Sequence, residues 1–222
     1  HNVEKFLFPV SAKTESALKE LCGKYAETIA SNEDVEIEDL VYTLSERKSG
    51  LSNRVVFRAE DRTDLIAQLE RYSQGESSES AFFGKASHES ADPIAFVFTG
   101  MGPQWWAMGQ ELYRSEYVFR AFLDKCDEIF VEMAGWSIVK EMLKSEDESR
   151  ITSTDIAQPA NFLLQAGLVE LYASWGIKPD AVVGHSVGEV ASAYISGSLS
   201  LRDAIYVSYH RSRLQKTLAG EG

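Results

Sequence analysis

The chain reads as an α/β protein, a parallel sheet flanked by helices preceded by a small α/β unit, and three observations predict it. Short apolar runs at 94–98 and 181–183 alternate with stretches of helical spacing, the pattern of a parallel sheet with both faces covered. A glycine-bounded corner, Gly184-His185-Ser186-Val187-Gly188, joins the second run to a helix. Residues 74–92, rich in Ser, Glu and Gly and poor in large aliphatics, read as a linker behind a first set of elements. The expected division is therefore 1–92 and 93–222.

In the first unit, Phe6 to Val10 is a strand candidate. Thr14 to Ala30 has helical spacing, with Leu18, Leu21, Tyr25 and Ile29 on one face and Thr14 as an acceptable N-cap. Ile37 to Leu44 is a second helix, Asn53 to Arg58 a strand, and a third helix starting at Asp61 or Thr63 carries Leu65, Ile66 and Leu69. In the second unit, Ile94 to Phe98 is a buried strand, and Glu116 to Met133 an amphipathic helix with Val118, Phe119, Phe122, Cys126 and Ile129. Ser153-Thr154-Asp155 caps a helix that runs to about Trp175, which Gly176 ends and Pro179 follows. A last helix runs from Ser200 to about Leu218.

The 222 residues are 44% hydrophobic and 25% charged, enough for a sizeable core. A formal net charge of -12 with no basic stripe argues against nucleic acid and anionic membrane as partners. No run approaches the roughly 20 apolar residues of a membrane span. Cys22 and Cys126 lie far apart without metal-like spacing, so free thiols in a reducing, cytoplasmic setting are expected.

The chemistry concentrates at two places. A serine on a strand–turn–helix corner presents its hydroxyl at the end of a sheet, aimed by the helix N-terminus; this makes Ser186 the candidate nucleophile. The first strand runs into Gly100-Met101-Gly102-Pro103-Gln104, where glycines let main-chain N–H groups face a cavity. The N–H of Val187, the residue after the serine, is one candidate oxyanion donor, and this strand–loop is the candidate source of the other. The bland alternatives are a tight Gly-Ser turn and a loop whose Trp105 and Trp106 seal a core edge.

Taken together, Phe96 to Trp106, Gln158-Pro159-Ala160 and Gly184 to Glu189, in that order, resemble the acyltransferase domain of type I polyketide synthases and animal fatty acid synthase. Phe8-Pro9-Val10-Ser11-Ala12-Lys13 resembles the start of the ketosynthase–acyltransferase linker in those megasynthases, so the likeness spans the chain. It implies an α/β-hydrolase-like acyltransferase core, incomplete here, with Ser186 acylated and Met101 and Val187 as the oxyanion hole. Many members have Gln where Met101 stands; a main-chain donor survives that change. The resemblance also implies that Arg211 grips the free carboxylate of a malonyl or methylmalonyl group, a contact suited to a planar guanidinium. Gln158, Gln104 and His185 are the remaining substrate-side candidates. Val187 looks more like malonyl-type domains.

The implied reaction moves an extender unit from coenzyme A to the phosphopantetheine arm of acyl carrier protein, with no metal and no permanently bound cofactor. Acyl carrier protein and a ketosynthase domain are the implied partners. The family's catalytic base is a histidine well downstream of the serine; only His1, His88, His185 and His210 occur in this sequence. The expectation is a linker plus the first half of an acyltransferase, inactive without its complementary C-terminal half. Two rivals stay open: a serine hydrolase such as an esterase or thioesterase, and a non-catalytic docking module.

Overall fold

The computed structural model describes residues 6–76, 78–86 and 92–217. The chain separates into two compact units, His1–Ala91 and Asp92–Gly222, each with its own hydrophobic core. His1, His88 and Leu218 lie outside the described residues.

The first unit contains β1 (Phe6–Ala12), α1 (Glu15–Ser31), α2 (Ile37–Tyr42), a π-helical turn (Thr43–Arg47), β2 (Asn53–Ala59), α3 (Arg62–Ser73) and β3 (Ala81–Lys85). Its antiparallel sheet has the order β1-β2-β3, with Phe8 opposite Phe57 and Val55 opposite Phe83. Alternation sends Phe8, Val10, Val55 and Phe57 to one face, where α1 and α3 supply Leu18, Cys22, Ala26, Ile29, Leu65 and Leu69. The buried stripe of α1 thus includes Cys22 and Ala26, while Leu21 and Tyr25 sit at its margin. Thr14 caps α1 by accepting the Ala17 N–H at 3.1 Å, and Asp61 caps α3 by accepting from Asp64 at 2.8 Å. Arg62 then donates to the carbonyls of Ile29, Asn32 and Val35, closing the C-terminal end of α1.

The expected linker at 74–92 needs correction, because β3 lies inside it. The free edge of β2 leaves a row of backbone donors and acceptors, and Ala81–Lys85 satisfies them despite its weak composition. Ser80 O and Ala86 N extend that pairing with bonds of 2.8 and 2.7 Å to Arg58 and Ser52.

The second unit contains β4 (Ala95–Phe98), α4 (Gln110–Ser115), α5 (Tyr117–Ala134), α6 (Ile138–Met142), α7 (Thr154–Ser174), β5 (Ala181–Gly184), α8 (Gly188–Ile195) and α9 (Leu201–Thr217). The core gathers Phe119, Leu123, Cys126 and Phe130 of α5, Ile156, Ala160, Leu163 and Ala166 of α7, and Ala204, Ile205 and Tyr209 of α9. α7 is apolar nearly all round because α5, α8 and α9 pack on it from different sides. β4 and β5 pair in parallel, Ala95 opposite Ala181 and Phe98 opposite Gly184. Phe96 and Val182 pack inward, whereas Val97 and Val183 on the opposite face are 71% and 55% exposed. Among the described residues, helices cover one side of this pair. No helix among the described residues is long and apolar enough to cross a membrane.

Candidate active site

The parallel register brings the C-terminal ends of β4 and β5 to one level, so the segments that follow them lie side by side. His185 N–H donates to Phe98 O at 3.0 Å and carries the pairing one step further. At the opposite end, Asp180 accepts the Ile94 N–H through its carboxylate at 2.8 Å and returns its own N–H to Ile94 O at 2.7 Å.

Ser186 then takes a φ of 55°, the one positive value at a non-glycine among the described residues. This left-handed conformation costs about 1–2 kcal/mol in a residue with a Cβ, and it falls at a half-buried serine. The chain enters α8 at once: Gly188 N donates to His185 O and Glu189 N to Ser186 O, at 2.9 and 3.1 Å. The two flanking glycines have no room for a methyl group. A Cβ on Gly184 would lie 2.3 Å from Gly188 O, and one on Gly188 would lie 2.3 Å from Phe98 O.

The Gly100–Gln104 segment rests against this corner, since a Cβ at Gly100 would come within 3.3 Å of the Ser186 Cβ. Gln104 turns back on its own loop, and its Oε1 accepts the Gly102 N–H at 2.7 Å. Gln165 of α7 ties the same loop down from the other side by donating to Thr99 O at 2.9 Å. Neither the Met101 N–H nor the Val187 N–H has a hydrogen-bond partner among the described residues. Trp105 stacks edge-on against Trp106 with ring centroids 6.3 Å apart and stays exposed.

α9 supplies the charge. Arg211 Nη2 approaches Ser186 Oγ at 3.4 Å, while Nη1 donates to Gln158 Oε1 at 2.5 Å. Gln158 is 1% exposed, and its Nε2 donates to Gln215 Oε1 at 2.5 Å. Pro159 explains part of this setting. Having no N–H, it leaves Asp155 O without its helical partner, and Ser212 Oγ of α9 approaches that carbonyl at 3.5 Å. The break in the α7 ladder thus falls beside Gln158, where α9 packs.

The structure therefore brings Ser186, Arg211 and Gln158 into one connected set, with the Met101 and Val187 amides alongside the serine corner. His185 is exposed, its Nδ1 3.0 Å from where a Cβ on Gly100 would stand. The His210 ring stacks on Tyr206 and Tyr209, with centroids 4.2 and 4.9 Å away. Successive helical residues project about 100° apart, which separates His210 from Arg211. Arg211 is the one side chain hydrogen-bonded to Ser186 Oγ among the described residues. Two residues were missed from sequence: Gln165, which no motif marks, and Gln215, whose spacing one helical turn after Arg211 is the only signal. Among the described residues no cluster of three or more His, Cys, Asp or Glu side chains is placed to hold a metal ion.

Comparison with known proteins matches this architecture. A family model described as "Acyl transferase domain" covers residues 95–222, and one described as "CurL-like, PKS C-terminal" covers residues 6–69. The chain is 37% identical over 226 residues to "Probable polyketide synthase 17" of Dictyostelium discoideum, covering 99% of this chain and 8% of that protein. It is 37% identical over 213 residues to "Mycoketide-CoA synthase" of Mycobacterium tuberculosis, covering 96% of this chain and 5% of that one. The acyltransferase domain from module 8 of the salinomycin polyketide synthase superposes with a TM-score of 0.85 at 32% identity, covering 97% of this chain and 51% of that one. The acyl transferase domain of ZmaA gives 0.88 at 25% identity, with 96% and 49% covered. The chain thus spans about half of these solved domains and under a tenth of the two curated relatives. With a glycine-bounded serine corner, an arginine over its hydroxyl and this match across 95–222, the chain belongs to the acyl transferase domain family found in polyketide synthases.

Proposed function

We propose that the complete domain moves a malonyl-type acyl group from coenzyme A to the phosphopantetheine arm of an acyl carrier protein, through an acyl-serine at Ser186. The single observation that carries this reading is the Arg211 guanidinium, 3.4 Å from Ser186 Oγ and steadied by Gln158. A permanent cation beside the nucleophile suits an acyl group that ends in a carboxylate, which a guanidinium can hold by two parallel N–H bonds.

Ser186 Oγ attacks the thioester carbonyl; the Oγ–C bond forms, the C–S bond breaks and the coenzyme thiol leaves with the serine proton. The carrier thiol then attacks the acyl-serine; the new C–S bond forms, the Oγ–C bond breaks, and Oγ takes up the proton the thiol gave up. In both steps the carbonyl oxygen becomes an oxyanion, and the unpartnered N–H groups of Met101 and Val187 are its donors. Gln104, accepting the Gly102 N–H, fixes the peptide that follows Met101. The resemblance supplies the proton acceptor as a histidine well downstream of the serine. Coenzyme A and phosphopantetheine are substrates in a cytoplasmic reaction, and a ketosynthase domain is the neighbour on the side of residues 6–69.

The test is covalent labelling of the complete domain with radiolabelled malonyl-coenzyme A. The parent acquires one label, and Ser186→Ala acquires none. Label retained on another residue refutes the nucleophile assignment, and label released to water as fast with carrier protein as without it favours a hydrolase.

A further inference from the structure

Gln215 stands outside the motifs that mark this site, yet it completes a chain of side chains that ends at the nucleophile. A carboxamide has one donor end and one acceptor end, and Gln158 is too buried for water to satisfy either. Arg211 is donor-only, so its Nη1 fixes the Oε1 end of Gln158 toward α9. The Nε2 end then needs an acceptor inside the protein, and Gln215 Oε1 provides it at 2.5 Å. Gln215 and Arg211 are one helical turn apart on α9, so both bonds to Gln158 arise from the same helix face. That turn is itself fastened to α7, because Lys216 pairs with Asp155 at 2.7 Å.

We propose that Gln215 is a positioning residue for recognition of the acyl carboxylate. It holds Gln158 in the orientation that holds Arg211 over Ser186. Without it, the Gln158 amide keeps an orphaned donor and is drawn to rotate, and Arg211 loses the partner on Nη1 that points Nη2 at the nucleophile. The inference rests on the reading of Ser186 and Arg211 given above.

The experiment uses the complete domain and compares malonyl-coenzyme A with acetyl-coenzyme A as donors. Gln215→Met keeps side-chain length and removes the acceptor; because Gln215 is exposed, the variant folds, which its melting curve checks. The expected result is a fall of about tenfold in the malonyl-to-acetyl ratio of kcat/KM, the size of effect that one unsatisfied buried polar group produces. In an Arg211→Ala background the same substitution leaves the ratio where Arg211→Ala alone put it, because the two act through one contact. An unaltered ratio in Gln215→Met, equal loss with both donors, or the same loss with and without Arg211 overturns the proposal. If Arg211→Ala itself leaves the ratio unchanged, the carboxylate reading fails, and the role of Gln215 fails with it. Retained Ser186 labelling then keeps the nucleophile assignment apart.

Discussion

Ser186 occupies a conformation that most side chains avoid, and it is held there by neighbours with no slack. The backbone of β4 and the first turn of α8 close on the corner from two sides, within 2.3 Å of where a Cβ on Gly184 or Gly188 would stand. Neither contact is with a flexible side chain, so nothing can move aside. Gly188→Ala is therefore expected to destabilise the second unit by about 3 kcal/mol, at the upper end of overpacking costs, or to prevent its folding. Urea unfolding followed by tryptophan fluorescence measures it, and a change under 1 kcal/mol would contradict the packing described. This corner was legible in the sequence because its requirement is steric, and only glycine meets it at 184 and 188. Arg211 was legible through the family likeness. Gln104 was expected on the substrate side, but its acceptor end is bonded to its own loop, a contact no spacing rule reports. Gln215 went unseen for the same reason, since a lone glutamine near a helix end carries no pattern.

At the scale of elements, α7 and α9 are the pair on which the site depends. Their joint near Pro159 is closed by Ser212 on Asp155 O and by the Asp155–Lys216 ion pair. Burial pushes the Asp155 carboxyl up, but the Lys216 ammonium and the Ser153 hydroxyl outweigh it and hold the group below its usual range. A depressed carboxylate contributes stability above its unfolded pKa, about 4, and loses it as pH falls through the folded value. Lys216 is half exposed, so screening keeps the contribution under about 1 kcal/mol. Asp155→Asn is thus expected to lower the thermal midpoint slightly at pH 7, with the difference from the parent shrinking as the pH falls below about 4; a difference that stays constant as the pH is lowered would count against the ion pair. The long helices were legible because apolar residues recur over several turns. The short α4 and α6, of 6 and 5 residues, offer too little length for a period to emerge. β3 hides in Gly- and Ser-rich sequence because its pairing is dictated by the edge of β2 rather than by its own composition.

At the scale of the whole molecule, alternation of strands and helices announced a parallel sheet, and the solved relatives place the same fold over this chain. What alternation could not announce is which face the described helices leave open. Val97 and Val183 stand next to each other across the pair and face outward. Such a patch on a two-stranded sheet is expected to bind an apolar-surface dye. Val97→Thr with Val183→Thr keeps the β-branched shape and is expected to reduce the dye fluorescence at least twofold without lowering the helical circular dichroism. Equal dye binding by parent and variant would place the accessible apolar surface elsewhere.

The location of the parts also has a practical consequence for redesign. The corner and its amides are made of main chain on the strand ends, whereas Arg211, Gln158 and Gln215 are side chains on two helices. Under the proposed function, reactivity and acyl preference are therefore written in different materials. On that proposal, the helix-borne wall is the part to rewrite for uncharged or bulkier acyl chains, with the ester-forming corner left as it is.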